Sequence, residues 1–305
     1  YSAGPLAAPS GGTSNATCLA YDNIYPSLRS DVVVHLAYHQ ALLDGTLEQS
    51  FPEGYAAPAY FYSWPAHGDV AVGQDQYLAP FIDFDGDGAY NPDNGDAPGY
   101  NVNGSCDPGE AGSLLSGDAN WFWIFNDAGR VHNESNGAPI GVEIRAQSWA
   151  FNVGGPDFDN ATFYTYELLN QGPFTLNAFQ TGIWVDADVG TAVDDYVGCD
   201  VSRGLAFAYN GDALDEPSSS SPGYGENPPA VGLDFFYGLY QDADGLDNPL
   251  TTSVSDAQDS LGIAYAGMGF GYGDDIVDNE RLGMTRFLYY NNSGNQINGE
   301  PSTPL

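Results

Sequence analysis

Turn residues set the tightest limit on what this chain can fold into. Its 305 residues include 39 glycines and 20 prolines, which interrupt the backbone too often for long helices and supply many turns. Between the turns lie short apolar and aromatic segments at 141–151, 161–170, 174–185, 205–209, 233–240 and 285–290. Segments of this kind, bounded by Gly, Pro, Asn and Asp, read as strands. The stretch DVVVHLAYHQALLDG at 31–45 is the best helix candidate, although its valine run suits a strand equally. The expected class is therefore all-β: an antiparallel, jelly-roll-like β-sandwich with long acidic, Gly-rich calcium-binding loops and little helix. Residues 1–20 read as an extended N-terminal arm or linker, a candidate to pair with a neighbour's sheet edge. Residues 21–305 read as a single large sandwich domain with loop insertions. The start at Tyr1, without Met or a basic leader, reads as a processed or excised segment.

Charge narrows the functional classes. Asp and Glu number 41 against 6 arginines, with no lysine, for a net charge of −35. The absence of lysine excludes Schiff-base chemistry, a P-loop lysine and Lys–Asn isopeptide crosslinks. A nucleic-acid partner would be repelled. Aromatic residues at 14% are too frequent for a disordered acidic chain. No run of about 18 apolar residues occurs, so no transmembrane segment is expected.

The sharpest local motif is FIDFDGDGAYNPDNGD. Asp83, Asp85 and Asp87 stand at positions 1, 3 and 5 of a calcium loop and Gly88 at position 6; hard oxygens on alternate residues of a tight turn suit Ca²⁺. Position 12 is Asn94 rather than Glu, so the EF-hand signature fails there, and Asp93 or Asp96 is left to complete the shell. The competing reading is a solvated turn held by Asx hydrogen bonds. Further acidic clusters are Asp186, Asp188, Asp194 and Asp195, then Asp242, Asp244 and Asp247, then 274–280. A fold carrying this charge gains from counter-ions, and Ca²⁺ is the expected one.

Enzyme signatures are sparse. His35 and His39, four apart, lack the Glu of a metalloprotease helix and read as core or surface histidines. No GxSxG occurs. Glu143 and Glu167 are the only acids placed to form a glycosidase pair, and pairing of such a strand glutamate with Arg145 is the plainer expectation. The tryptophans at 64, 121, 123, 149 and 184 are candidates to stack on sugars, while the alternation in WFWIF and QSWAF reads more simply as sandwich core. Cys18 and Cys106 are within the reach of a pairing that leaves Cys199 over; three free thiols fit equally. DSL at 259–261 matches a small O-glycosylation pattern.

Several longer motifs carry a resemblance. WPAHGD (64–69), YLAPFIDFDGDGAYNPDNGDAPG (77–99), WFWIFNDAGRVHNES (121–135), GAPIGVEIRAQSWAF (137–151), WVDADVG (184–190) and DNERLGMTRFLYYNN (278–292) resemble, in order, a family of secreted Bacteroidota surface proteins exported by the type IX secretion system. The resemblance implies an extracellular address, a longer parent polypeptide and a removable sorting domain, and carries no catalytic residues over. The expected function is a non-enzymatic structural or adhesive surface protein, a candidate fibre subunit, stabilised by calcium and associating with itself or other surface proteins. A carbohydrate-binding module or a secreted glycoside hydrolase is the alternative.

Overall fold

A computed structural model of the chain describes residues 1–102, 114–133, 135–177, 179–192, 194–200, 203–219, 221–239, 246–251, 271–277, 279–284, 286–290 and 296–299. The chain divides into two compact units, Tyr1–Gln180 and Thr181–Leu305, where the sequence reading had one domain behind an arm. Strands dominate, helix is scarce, and every strand pairing is antiparallel, so the expected all-β class holds.

In chain order the first unit contains β1 (Ser2–Ala3), α1 (Asn15–Ala20), β2 (Tyr25–Leu28), α2 (Arg29–Asp44), α3 (Leu47–Ser50), β3 (Phe81–Ile82), β4 (Ala97–Pro98), β5 (Ala119–Asn126), β6 (Val142–Ala150), α4 (Pro156–Asp159) and β7 (Phe163–Asn170). β5, β6 and β7 form a meander. β1 and β2 share the other edge of β5, one beside Asn126 and Phe125, the other beside 119–122. Within the first twenty residues, Ser2–Ala3 thus joins the sheet and Asn15–Ala20 is helical. Leu6 is fully buried, and α1 is capped by the Ser14 side chain on Thr17 N–H. A buried apolar side chain and two ladder pairs outweigh the small, turn-rich composition that reads as a linker.

α2 realises the helix option at 31–45. Val32, His35 and Ala41 form its buried stripe, and Gly45 ends it in the left-handed conformation (φ 69°), which glycine adopts without the Cβ penalty. Valine's strand preference loses because this spacing buries one helical face. The layer packed on the sheet includes α2, the 3₁₀ turn at 59–63 and the β3–β4 ribbon. Between the layers sit Phe61, Trp64, Leu78, Tyr100, Phe122 and Ile124, all buried.

The second unit contains β8 (Asp195–Asp200), β9 (Leu205–Asn210), β10 (Leu214–Asp215), β11 (Gly225–Glu226), β12 (Ala230–Asp234), β13 (Phe287–Tyr290) and β14 (Gln296–Gly299). β9 is central between β8 and β12, and β10–β11 and β13–β14 are separate ribbons. The strand expected at 174–185 is absent among the described residues. Phe174, Ile183, Trp184 and Val185 are exposed there, and an apolar run stays irregular where no sheet edge or facing layer receives it. No described helix is long and apolar enough to cross a membrane.

Candidate functional site

The acidic loop between β3 and β4 is built by its own carboxylates. Asp83 accepts from the N–H groups of Gly86 (2.9 Å), Asp87 (3.2 Å) and Gly88 (2.9 Å). Gly86 and Gly88 hold the positive φ values, 76° and 77°, that fold the turn. Asp85 accepts from Asp87 N–H at 3.2 Å and the Asn94 amide at 2.9 Å. Asp96, fully buried, closes the loop from its far end by accepting from Phe84 N–H and Asn91 N–H, both at 2.8 Å.

Ligand-capable oxygens of Asp83, Asp85 and Asp96 lie within 4.8 Å of one another. Burial raises the Asp96 carboxyl above its ordinary pKa; the Asn91 and Phe84 N–H groups oppose this, and the Asp85 and Asp83 charges add to it. Among the described residues no arginine bonds to any of the three. The calcium-loop reading thus meets a mixed outcome. Positions 1 and 3 converge with Asp96, whereas Asp87 turns to cap Ala89 N–H (2.7 Å) and Asp93 accepts from the Tyr62 hydroxyl (2.7 Å).

The other acidic clusters are not brought together in this way. Among the described residues only Asp83, Asp85 and Asp96 gather at metal-binding distance. Asp186 and Asp188 are exposed, and Asp194 and Asp195 half-buried; Asp195 accepts from Val189 N–H at 2.8 Å. Asp247 accepts from the N–H groups of Gly273 and Asp275 (2.7 and 2.6 Å) and so ties two loops. Asp242, Asp244 and the DSL triplet lie outside the described residues. Glu280, of the 274–280 cluster, is buried and accepts from Asn248 N–H (3.0 Å). Two buried acids lie outside every expected cluster: Asp127 accepts from Gly141 and Val142 N–H (3.1 and 2.9 Å), and Asp215 from Thr191 and Tyr224 N–H (3.0 and 2.6 Å). Burial of an acid beside a Gly-rich turn leaves no local pattern by which to find it.

Glu143 is held as the plainer expectation had it. Fully buried on the inner side of β6, it accepts from Arg145 Nε and from Leu6 N–H, each at 2.8 Å. Arg145 also pairs with Asp75 and donates to Tyr77 O at 3.1 Å. Burial raises the Glu143 carboxyl, and the Arg145 charge, the Leu6 N–H and the Arg145 hydrogen bond work against it. Both oxygens therefore hold the fold together. Glu167, opposite Arg145 on β7, is exposed. Cys18 is a free thiol among the described residues; Cys106, the other half of the expected pairing, lies outside them.

The outer face of the sheet overturns the core reading of WFWIF. On β5 the even residues Asn120, Phe122, Ile124 and Asn126 are buried. Trp121, Trp123 and Phe125 therefore point to the opposite side, and Trp121 is 41% exposed. Across the sheet Trp121 faces Ser148 and then Tyr164; Trp123 faces Ala146 and then Tyr166. Tyr164 and Tyr166 are 52% and 39% exposed, with parallel rings 6.4 Å apart. The Trp123 and Tyr166 rings meet edge to face over Ala146, which is fully covered. Small residues on β6 thus form the floor of a trough with aromatic walls. Beside Trp121 the trough deepens into a groove of about 270 Å³ lined by Ile24, Trp121, Trp123 and Ser148.

No protein-family model, no curated protein and no solved structure matches this chain.

Proposed function

We propose that this chain is a non-enzymatic structural or adhesive module of a secreted cell-surface protein, stabilised by calcium at the Asp83–Asp85–Asp96 loop. The observation that carries the reading is the aromatic outer face of β5, β6 and β7: exposed aromatic side chains in a contiguous patch mark a surface made for contact. The long motifs that resemble those of exported surface proteins support the extracellular address. The engagement of Glu143 by Arg145 and Leu6 supports a structural rather than catalytic use of that acid.

The calcium arm rests on electrostatics. Three carboxylates at this spacing, one of them buried, repel one another unless a cation intervenes, and oxygen-only shells of this kind suit Ca²⁺. At a calcium concentration about a hundredfold above Kd, linkage adds ~2.7 kcal/mol, or a rise in melting temperature of about 5–10 °C. Thermal melting in calcium and in EGTA reads this directly, with Asp85→Asn expected to remove most of the rise. A melting curve indifferent to calcium would retire that arm.

The module reading is tested by retention of the labelled protein on the surface of cells that secrete it, together with sedimentation in calcium. Expected are surface retention or assembly, both weakened by Trp121→Ala. A protein that stays monomeric and unretained overturns the reading.

A further inference from the structure

We infer that the aromatic trough on the outer face of β5, β6 and β7 binds a neutral polysaccharide, its chain lying along β6 with sugar rings packed on Trp121 and Tyr164. The inference rests on the module reading above and names the partner of that surface.

The chemistry of the face selects this class. The outward strand residues of β2, β5, β6 and β7 are apolar, aromatic or uncharged polar, and none is Asp, Glu, Lys or Arg, although the chain carries −35. A cationic partner finds no carboxylate there, and an anionic one is repelled by the molecule as a whole. A neutral ligand faces neither obstacle. Pyranose rings offer C–H faces of partial positive charge, which suit the negative faces of indole and phenol rings.

The polar edges of these side chains point the same way. Several tyrosines elsewhere in the unit use their hydroxyls inside the protein. Tyr60 donates to Asp31 (2.7 Å), Tyr90 to Phe61 O (3.0 Å), Tyr100 to Ser27 O (2.9 Å) and Tyr21 to His67 O (3.3 Å). Trp64 likewise donates its indole N–H to Pro80 O at 3.0 Å. On the trough, Trp121, Trp123, Ser148, Tyr164 and Tyr166 make no side-chain hydrogen bond to any described residue. Their donors and acceptors remain available to sugar hydroxyls, in a site that also supplies flat apolar faces.

A second copy of the chain suits the face less well. Three strands of about eight residues present a surface of roughly 27 by 14 Å, or about 400 Å², from strand rise and spacing. Each partner of a standard stable interface buries ~800 Å², and two copies also bring like charge together. A trough of this length and width fits a narrow chain better than a second broad surface.

The test is affinity electrophoresis of the full chain through gels containing hydroxyethyl cellulose, galactomannan or dextran, with alginate as the acidic control. Retardation by at least one neutral polymer and none by alginate is expected. Trp121→Ala should weaken the retardation at least tenfold, Tyr164→Ala severalfold, and Trp184→Ala, in the second unit, not at all. Circular dichroism of each variant verifies that it is folded. No retardation by any of the three neutral polymers overturns the inference, as does retardation unchanged in folded Trp121→Ala. If instead the wild type forms dimers by sedimentation that Trp121→Ala dissolves, without retardation, the glycan assignment falls and the module reading stands. Absence of retardation, assembly and surface retention together removes both.

Discussion

The two faces of one sheet reverse the usual distribution of side chains. The inner face of β5 buries Asn120 and Asn126 beside Phe122 and Ile124, while the outer face displays Trp121, Trp123 and Phe125. The buried asparagines serve as ties. Asn126 donates to Gly4 O (2.8 Å) and Ala3 O (3.2 Å) and accepts from Ala128 and Gly129 N–H, and so fastens β1 to its edge. Asn120 donates to Gln147 at 2.7 Å and to Ser116 O at 3.1 Å. A polar side chain goes inside where it satisfies backbone groups that would otherwise be stranded. An aromatic side chain stays outside where no layer of the unit covers it. The difference separates residues that hold the structure from residues the structure presents.

That separation is sharpest in stability. Phe61→Ala, in the centre of the covered layer, should cost about 3–5 kcal/mol by denaturant unfolding. A cost below ~1 kcal/mol would mean that the covered side is not the core. Glu143→Gln comes next. It breaks a buried ion pair, for which ~3–5 kcal/mol is usual, but Arg145 keeps Asp75, so about 2–3 kcal/mol is expected.

Acid should act on the covered side as well. His35 is buried against Phe61 and bonded to the Tyr55 hydroxyl at 3.0 Å; burial, then the neighbouring His39, lower its pKa from 6.5 to about 4. The unfolded chain binds this proton first. Stability from the neutral ring is therefore complete above pH 6.5 and lost as pH falls toward about 4, by roughly 3 kcal/mol. An NMR titration showing His35 protonated at its ordinary pKa would break the comparison here. The smallest effect is expected outside: Trp121→Ala should change stability by no more than about 1 kcal/mol while weakening contact with a partner at least tenfold. Equal losses of stability on both faces would erase the distinction.

The β-ladders at 142–150, 163–170 and 205–210 were legible because apolar alternation and turn residues mark them locally. The loop at 83–96 was legible for the same reason, since an Asp-x-Asp-x-Asp-Gly turn organises itself through its own N–H groups. Which side of β5 is covered was not legible. WFWIF alternates perfectly well, yet alternation says only that two faces differ, and a sheet has no preferred face until another layer packs on one.

The chain by itself determined a turn-rich, antiparallel, acidic molecule without lysine chemistry, because composition and period act within a few residues of backbone. Only the tertiary structure decided that Asp96 rather than Asp93 joins Asp83 and Asp85, that Glu143 is tied to Leu6 and Arg145, and that Trp121, Trp123, Tyr164 and Tyr166 share one open trough. Each of those depends on groups brought together from distant or separately oriented backbone. Local preference does not encode such a meeting, and packing enforces it.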